Sequence, residues 1–311
     1  MLQKKTYKTA ALLLAALTMT ASPTAAQIFA DFEVSQGEVS LGTFRARLDF
    51  DKAPRTCANF IGLATGERPW IDTSTNLVME GTPFYDGRIF HRLIHDFVIQ
   101  GGSSDGLGFT GSGMNIQDEF DPDLRHSGRY FLSMAKSSQP GTGNSQFFIT
   151  LEATSFLDDK HSVFGEVVSG RDIIDDFANA TLHPTDGDDR PLTEITMDRV
   201  TIEGLSDAGF DIHDPALELP EISSVQPTPS RDTVAESFIL TFDREAKHDY
   251  LYGYSFDLTS WTSFRHILSA DSVPGYTFTT TGLPGSPLPR QRCAWRPAPL
   301  EAATRGEWRR T

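Results

Sequence analysis

Apolar and polar positions alternate through the first part of the chain. Phe32 and Val34 stand between polar neighbours, and Phe44, Ala46, Leu48 and Phe50 alternate with Thr43, Arg45, Arg47 and Asp49. A period of two is what a strand with one buried face requires. The turn at Gln36-Gly37 makes the two runs a hairpin. Next, Pro54 suits a first helical position, Phe60, Leu63 and Ala64 follow at helical spacing, and Gly66 suits the stop. From Ile89 to Phe148, short apolar runs between glycine-rich turns read as further strands. Ile173, Ile174 and Phe177 share one face of a second helix from about Arg171 to Phe177. Ile195, Met197, Val200 and Ile202 make a last strand. Many short strands with two helices predict a mainly β fold, a closed barrel with capped ends.

Past Gly204 the texture changes. Residues 205–234 are rich in Pro, Asp, Glu and Ser and read as a linker. Alternation resumes in Phe238, Leu240 and Phe242, then in Tyr250, Tyr252, Tyr254, Phe256 and Leu258, with Tyr276 and Phe278 after them. Residues 235–285 therefore read as a small β module. Residues 286–311 hold six arginines, no lysine, two glutamates and four prolines. They read as a disordered basic tail, with a basic arm for anionic partners and a shifted reading frame as open alternatives.

At the other end, Lys4, Lys5 and Lys8 precede the apolar stretch Ala10–Met19, and Thr24-Ala25-Ala26 offers a cleavage site. Residues 1–26 thus read as a signal peptide, too short in its apolar part to span a bilayer. The expectation is an exported protein without membrane insertion after cleavage, in the periplasm by preference, otherwise outside the cell or on its surface. The chain of 311 residues carries a formal charge of −15, which gives it no overall attraction for nucleic acid. Of its two cysteines, Cys57 falls on the apolar side of the first helix and reads as a buried free thiol. Pairing with the distant Cys293 is the alternative.

Three blocks carry a resemblance. The first runs Phe90-His91-Arg92-Leu93-Ile94-His95-Asp96-Phe97-Val98-Ile99-Gln100-Gly101-Gly102. The second is Tyr130–Ala135, followed by Asn144-Ser145-Gln146-Phe147-Phe148-Ile149. The third is Phe156-Leu157-Asp158-Asp159-Lys160-His161-Ser162-Val163-Phe164-Gly165. In order and in register over residues 28–204, they resemble the cyclophilin-type peptidyl-prolyl cis/trans isomerases. The resemblance implies an eight-stranded antiparallel barrel capped by two helices, an active groove on its outer face, and proline-containing polypeptides as partners. Two positions depart from the pattern. Phe156 stands where many members have Trp, which implies weak cyclosporin binding. Lys136 stands where Asn is usual, in a loop one residue longer, and puts one substrate-facing position in doubt.

The chemistry suits these residues. An X-Pro bond isomerises slowly because rotation breaks amide resonance, against a barrier of about 20 kcal/mol. No bond to the substrate is made, so neither cofactor nor metal is expected. A donor aimed at the imide nitrogen helps, because the nitrogen lone pair is available only in the twisted state. Matched to the family, Arg92 is that donor, with Gln100 beside it to orient it or to bind a substrate carbonyl. The matched walls of the proline pocket are Phe97, Val98, Phe148 and Leu157. Phe156 and His161 belong at its rim, and Ala135, Lys136 and Gln146 belong along the groove. A non-catalytic barrel that binds proline segments as a chaperone or scaffold is the alternative.

Three motifs compete. Gly106-Leu-Gly-Phe-Thr-Gly111 fits a dinucleotide fingerprint but lacks the following helical pattern, so a groove-lining loop is expected. His91 and His95 have ligand spacing only on a helix. Asp186-Gly187-Asp188-Asp189 lacks the full ligand alternation of a calcium loop and reads as a solvated turn.

Overall fold

The computed structural model describes residues 26–221 except Asn76, and beyond them seven strand segments between residues 223 and 297. Residues 1–25 of the proposed signal segment lie outside the described residues, as do Phe256 and Leu258.

The first hairpin forms as its alternation dictates. Strands β1 (Ile28–Gln36) and β2 (Val39–Leu48) pair antiparallel around Gly37, which takes a positive φ of 60°. Helix α1 (Pro54–Thr65) opens on its proline and stops at Gly66, φ 77°, in the left-handed region that glycine adopts without strain. Two three-residue strands follow, β3 (Trp70–Asp72) and β4 (Leu77–Met79), a small hairpin that the apolar pattern did not announce. Then come β5 (Arg88–Ile94), β6 (Val98–Gly101), β7 (Phe131–Met134), β8 (Phe147–Thr150), β9 (Val163–Ser169), helix α2 (Arg171–Phe177) and β10 (Ile195–Glu203).

Eight of these strands close into an antiparallel barrel in the order β1-β10-β5-β6-β8-β7-β9-β2. Closure removes the edges that would otherwise present unpaired backbone groups. The interior is aromatic: Phe32 stacks on Phe44 at 4.6 Å, and Phe147 packs against Phe32 and Phe90 at 5.7 and 6.1 Å. Both helices contribute to this core. Phe60 of α1 meets Phe32, Tyr85, Phe147 and Phe164, and Phe177 of α2 meets Phe90. Cys57 lies fully buried as a free thiol, donating to the Phe164 carbonyl at 3.4 Å, and burial pushes its pKa up. Among the described residues, no helix is long and apolar enough to cross a membrane.

Two boundaries need correction. The linker placed at 205–234 is structured over its described residues. Its first part forms a helical turn, α3 (Leu205–Ala208), and a 3₁₀ turn (Pro215–Leu217), and it packs on the barrel. Phe210 meets Phe50 at 5.1 Å, and Ile212 and Leu217 are buried. A few spaced apolar anchors did this, hidden in a stretch whose average composition is that of a linker. Its second part enters strands β11 (Ser223–Val225) and β12 (Thr228–Asp232). The module continues with β13 (Ser237–Arg244), β14 (His248–Ser255), β15 (Thr262–Ile267) and β16 (Val273–Thr281). The tail placed at 286–311 contains a further strand, β17 (Arg290–Pro297), paired with β14 over its whole length. These strands make a four-stranded sheet, β11-β17-β14-β15, and a three-stranded sheet, β12-β13-β16. Cross-strand hydrogen bonding needs backbone, not a particular charge, so an arginine-rich stretch is no obstacle to it.

Candidate active site

Strand register assembles the site. Arg92 on β5 stands opposite Gln100 on β6, Gln100 opposite Phe148 on β8, and Phe148 opposite Ser133 on β7. Side chains alternate between the two faces of a strand. The neighbouring row, Leu93, Ile99, Ile149 and Leu132, is fully buried in the core. The row that contains Arg92 therefore belongs to the barrel's outer face.

A cavity of about 160 Å³ lies over this row, lined by Arg92, Gln100 and Phe148 together with Phe97, Val98, Ala135, Lys136, Leu157 and His161. A second cavity of about 280 Å³ shares Gln100, Ala135 and Lys136 with it and adds Gln146, Gly108, Phe109, Ser137, Thr142 and Asn144. The two form one groove. Phe156 is the predicted residue that lines neither cavity; it is 60% exposed and stacks on Phe97 at 5.7 Å. Phe109 belongs to the glycine-rich loop expected to line the groove; sequence reasoning missed Ser137, Thr142 and Asn144, which come together with it only in the fold.

Arg92 is half-buried, with Nε 3.5 Å from the Asp189 carboxylate. Among the described residues, its two terminal guanidinium nitrogens have no hydrogen-bond partner. Asp189 comes from the acidic turn. That turn is tied by the Asp186 carboxylate, which accepts from the Asp188 and Arg190 N–H groups at 2.9 Å each. Asp189 holds a positive φ of 63°, and its carbonyl accepts from the Leu93 N–H at 2.7 Å. A turn that read as merely solvated thus reaches the site.

Gln100 faces Arg92 in register, the position from which it was expected to orient Arg92 or bind a substrate carbonyl, yet its amide turns elsewhere. The Gln100 amide instead donates to Gln146 Oε1 at 3.0 Å. Gln146 Nε2 in turn donates to the carbonyls of Gly108 and Thr110, at 3.0 and 2.9 Å. The amide pair bridges strand and glycine-rich loop, which makes the Gly106–Gly111 motif a wall of the groove. Gly108 has φ +88°, and a Cβ there would come within 2.9 Å of the His91 ring.

Phe148 is clamped by two imidazoles. His126 stacks on it at 5.8 Å and 17°, and His161 meets it edge-on at 5.5 Å. His126 is fully buried, with Nδ1 2.8 Å from Asp158 and Nε2 2.9 Å from the Ser133 hydroxyl. His161 Nδ1 donates to the Met134 carbonyl at 3.0 Å. Burial lowers the pKa of both rings, so both are neutral at pH 7. Asp158, His126 and Ser133 have the contacts of a hydrolytic triad, but Ser133 is fully buried and lines neither cavity. Their role is to hold the Phe148 ring.

Lys136, where the two cavities meet, is held by an ion pair. Its Nζ lies 3.2 Å from the Asp118 carboxylate, and the two side chains are only 9% and 12% exposed. Elsewhere, His95 bonds the His183 carbonyl at 2.9 Å, and His91 is buried with Nδ1 unpartnered. Among the described residues, no cluster of three or more His, Cys, Asp or Glu side chains is placed to hold a metal.

The barrel segment of this chain is similar to known proteins. Residues 29–202 match the family model described as cyclophilin type peptidyl-prolyl cis-trans isomerase/CLD. The chain is 39% identical to peptidyl-prolyl cis-trans isomerase B of Streptomyces anulatus over 181 residues, which covers 58% of this chain and 98% of that protein. It is 38% identical over 177 residues to peptidyl-prolyl cis-trans isomerase A of Mycobacterium tuberculosis, covering 56% of this chain and 91% of that one. A crystal structure of a Cryptosporidium parvum cyclophilin aligns with TM-score 0.48 and 27% identity, over 57% of this chain and 98% of the other. With the barrel, the groove and residues 29–202 all accounted for, this chain belongs to the cyclophilin-type peptidyl-prolyl cis-trans isomerases.

Proposed function

We propose that the groove accelerates X-Pro rotation by donation from Arg92 to the imide nitrogen while the proline ring sits against Phe97, Phe148 and Leu157. The observation that supports this reading is the pairing of a guanidinium whose terminal nitrogens are free with an apolar cavity of about 160 Å³ on the same wall. In the planar ground state the imide lone pair is delocalised and accepts no hydrogen bond. In the twisted state it is localised and does. Donation from Arg92 therefore acts on the transition state and not on the ground state, which is the condition for raising kcat. A hundred-thousandfold acceleration asks about 7 kcal/mol of the whole site, at about 1.4 kcal/mol per decade. The free oxygen and remaining N–H of Gln100 are available to a substrate backbone.

The cellular role we infer is folding of exported proteins, in the periplasm by preference, and it rests on the signal-like pattern of residues 1–26. Exposed Phe156, in place of Trp, supports weak cyclosporin binding. The decisive measurement is peptide isomerisation by wild type and Arg92→Ala. The expected loss in kcat/KM is at least about a hundredfold, or about 2.7 kcal/mol. Equal rates in the two proteins would refute the assigned role, and unaccelerated turnover by wild type would leave a proline-binding chaperone as the reading.

A further inference from the structure

We propose that the second cavity is a carboxylate subsite, so that the groove prefers proline segments carrying Asp or Glu within two residues of the proline, recognised by Lys136. This rests on the isomerase reading above and names the substrate class for the same groove.

The argument begins with charge. The residues that line the two cavities include two cations, Arg92 and Lys136, and no carboxylate. The chain as a whole carries −15. On an acidic protein, the charged side chains that face into the groove are thus both cationic, each with a carboxylate partner behind it. The carboxylates nearest these cations, Asp189 and Asp118, lie outside the lining and pair with them at 3.5 and 3.2 Å. They fix the cations in place without entering the cavity.

Lys136 has donors to spare. An ammonium has three N–H groups. Asp118 takes one, and the Gln139 carbonyl, at 3.4 Å, takes a second. Asp118 is itself held by the Gly141 N–H at 3.1 Å, so the pair has a fixed address. The third donor is available to a ligand. The other polar side chains of this cavity, Gln100, Ser137, Thr142, Asn144 and Gln146, are neutral. Because the ammonium is nearly buried, salt screens it less than a surface charge. An incoming carboxylate finds a charge-assisted donor, while an incoming ammonium meets a like charge. Selectivity then comes from repulsion as much as from attraction.

The overall field would bias a simple comparison of acidic with basic peptides, so the test uses pairs of equal net charge. In each pair, Glu and Lys exchange places between a position within two residues of the proline and a remote position. For the full-length wild type, at least one pair is expected to favour the proximal-Glu peptide by about tenfold in kcat/KM. Lys136→Asn should bring that ratio close to one, Lys136→Glu should invert it, and Asp118→Asn should raise it. If Lys136→Asn does not fold, Lys136→Gln, uncharged and nearer in length, replaces it, and the ratio should again fall close to one. Should no pair differ by more than about twofold while Arg92-dependent turnover persists, the subsite is overturned and the isomerase reading stands. Should wild type accelerate neither peptide of any pair, both fall together.

Discussion

His91 lies on the signature strand yet does not line the groove, and its effect is on stability. The ring is 7% exposed, its Nδ1 has no partner, and its pKa is lowered to about 4. Burial is the main cause; Arg190 and Arg92 add to it, and Asp105 opposes it. The unfolded chain binds a proton near pH 6.5 that the folded chain refuses. The stabilisation is therefore complete above 6.5 and is lost as pH falls from there toward 4. Over the whole window it amounts to about 3 kcal/mol. His126, His161 and His183 are shifted in the same direction, also mainly by burial. Carboxylates with lowered pKa, such as Asp105 and Asp158, enter chiefly at lower pH. Urea unfolding at pH 7 and pH 4.5 should show a clear loss in wild type and a smaller one in His91→Leu. An equal loss in both proteins would remove His91 from the account.

Unlike His91, the turn between α2 and β10 bears on both stability and catalysis. It holds Asp189 in a left-handed conformation, where a non-glycine side chain is strained, and that strain places a carboxylate beside Arg92. Asp189→Gly should relieve the strain and raise the melting temperature, yet lower kcat/KM severalfold because Arg92 loses its anchor. Asp189→Asn, which tolerates the same backbone, should lose activity similarly without the gain in stability. A variant pair that gains stability with unchanged kcat would make the turn structural only. The contrast marks what the sequence could tell. Strands and helices were legible wherever apolar positions kept a clean period, as in β1, β2, α1 and α2. The chemical residues were legible because Arg92, Gln100 and Phe148 sit in distinctive blocks. The Arg92–Asp189 and Lys136–Asp118 pairs were not, since each joins residues on different loops or strands. Nor was the Gln100–Gln146 bridge, which depends on which side chain wins the competition for a donor. The β3–β4 hairpin offered only three residues per strand, too few for a period to show.

In the chain as a whole, the barrel unit does not stop at residue 204: its contacts continue as far as Pro220. Composition marks 205–221 as a linker, but the contacts mark it as a strap. Arg55 Nε donates to the Leu217 carbonyl at 2.6 Å, and Arg68 donates to the Pro220 carbonyl at 2.8 Å. Both arginines belong to α1 or the loop just after it, so the strap covers a face of the helix that carries Phe60 into the barrel core. Removing it strips Phe210, Ile212 and Leu217 from their sites. Each buried apolar side chain is worth about 1.5–3 kcal/mol, and in a domain of this size 1 kcal/mol shifts Tm by about 2–4 °C. A chain ended after residue 204 should therefore melt on the order of 10 °C below wild type, with the isomerase activity of its folded fraction retained. A chain ended after residue 221 keeps every contact just named and should match wild type in both Tm and kcat/KM. If the longer truncation product is also destabilised, the two C-terminal sheets hold the barrel together and the strap does not. If it keeps its melting temperature but loses turnover, those sheets contribute to catalysis and the groove is not sufficient for it.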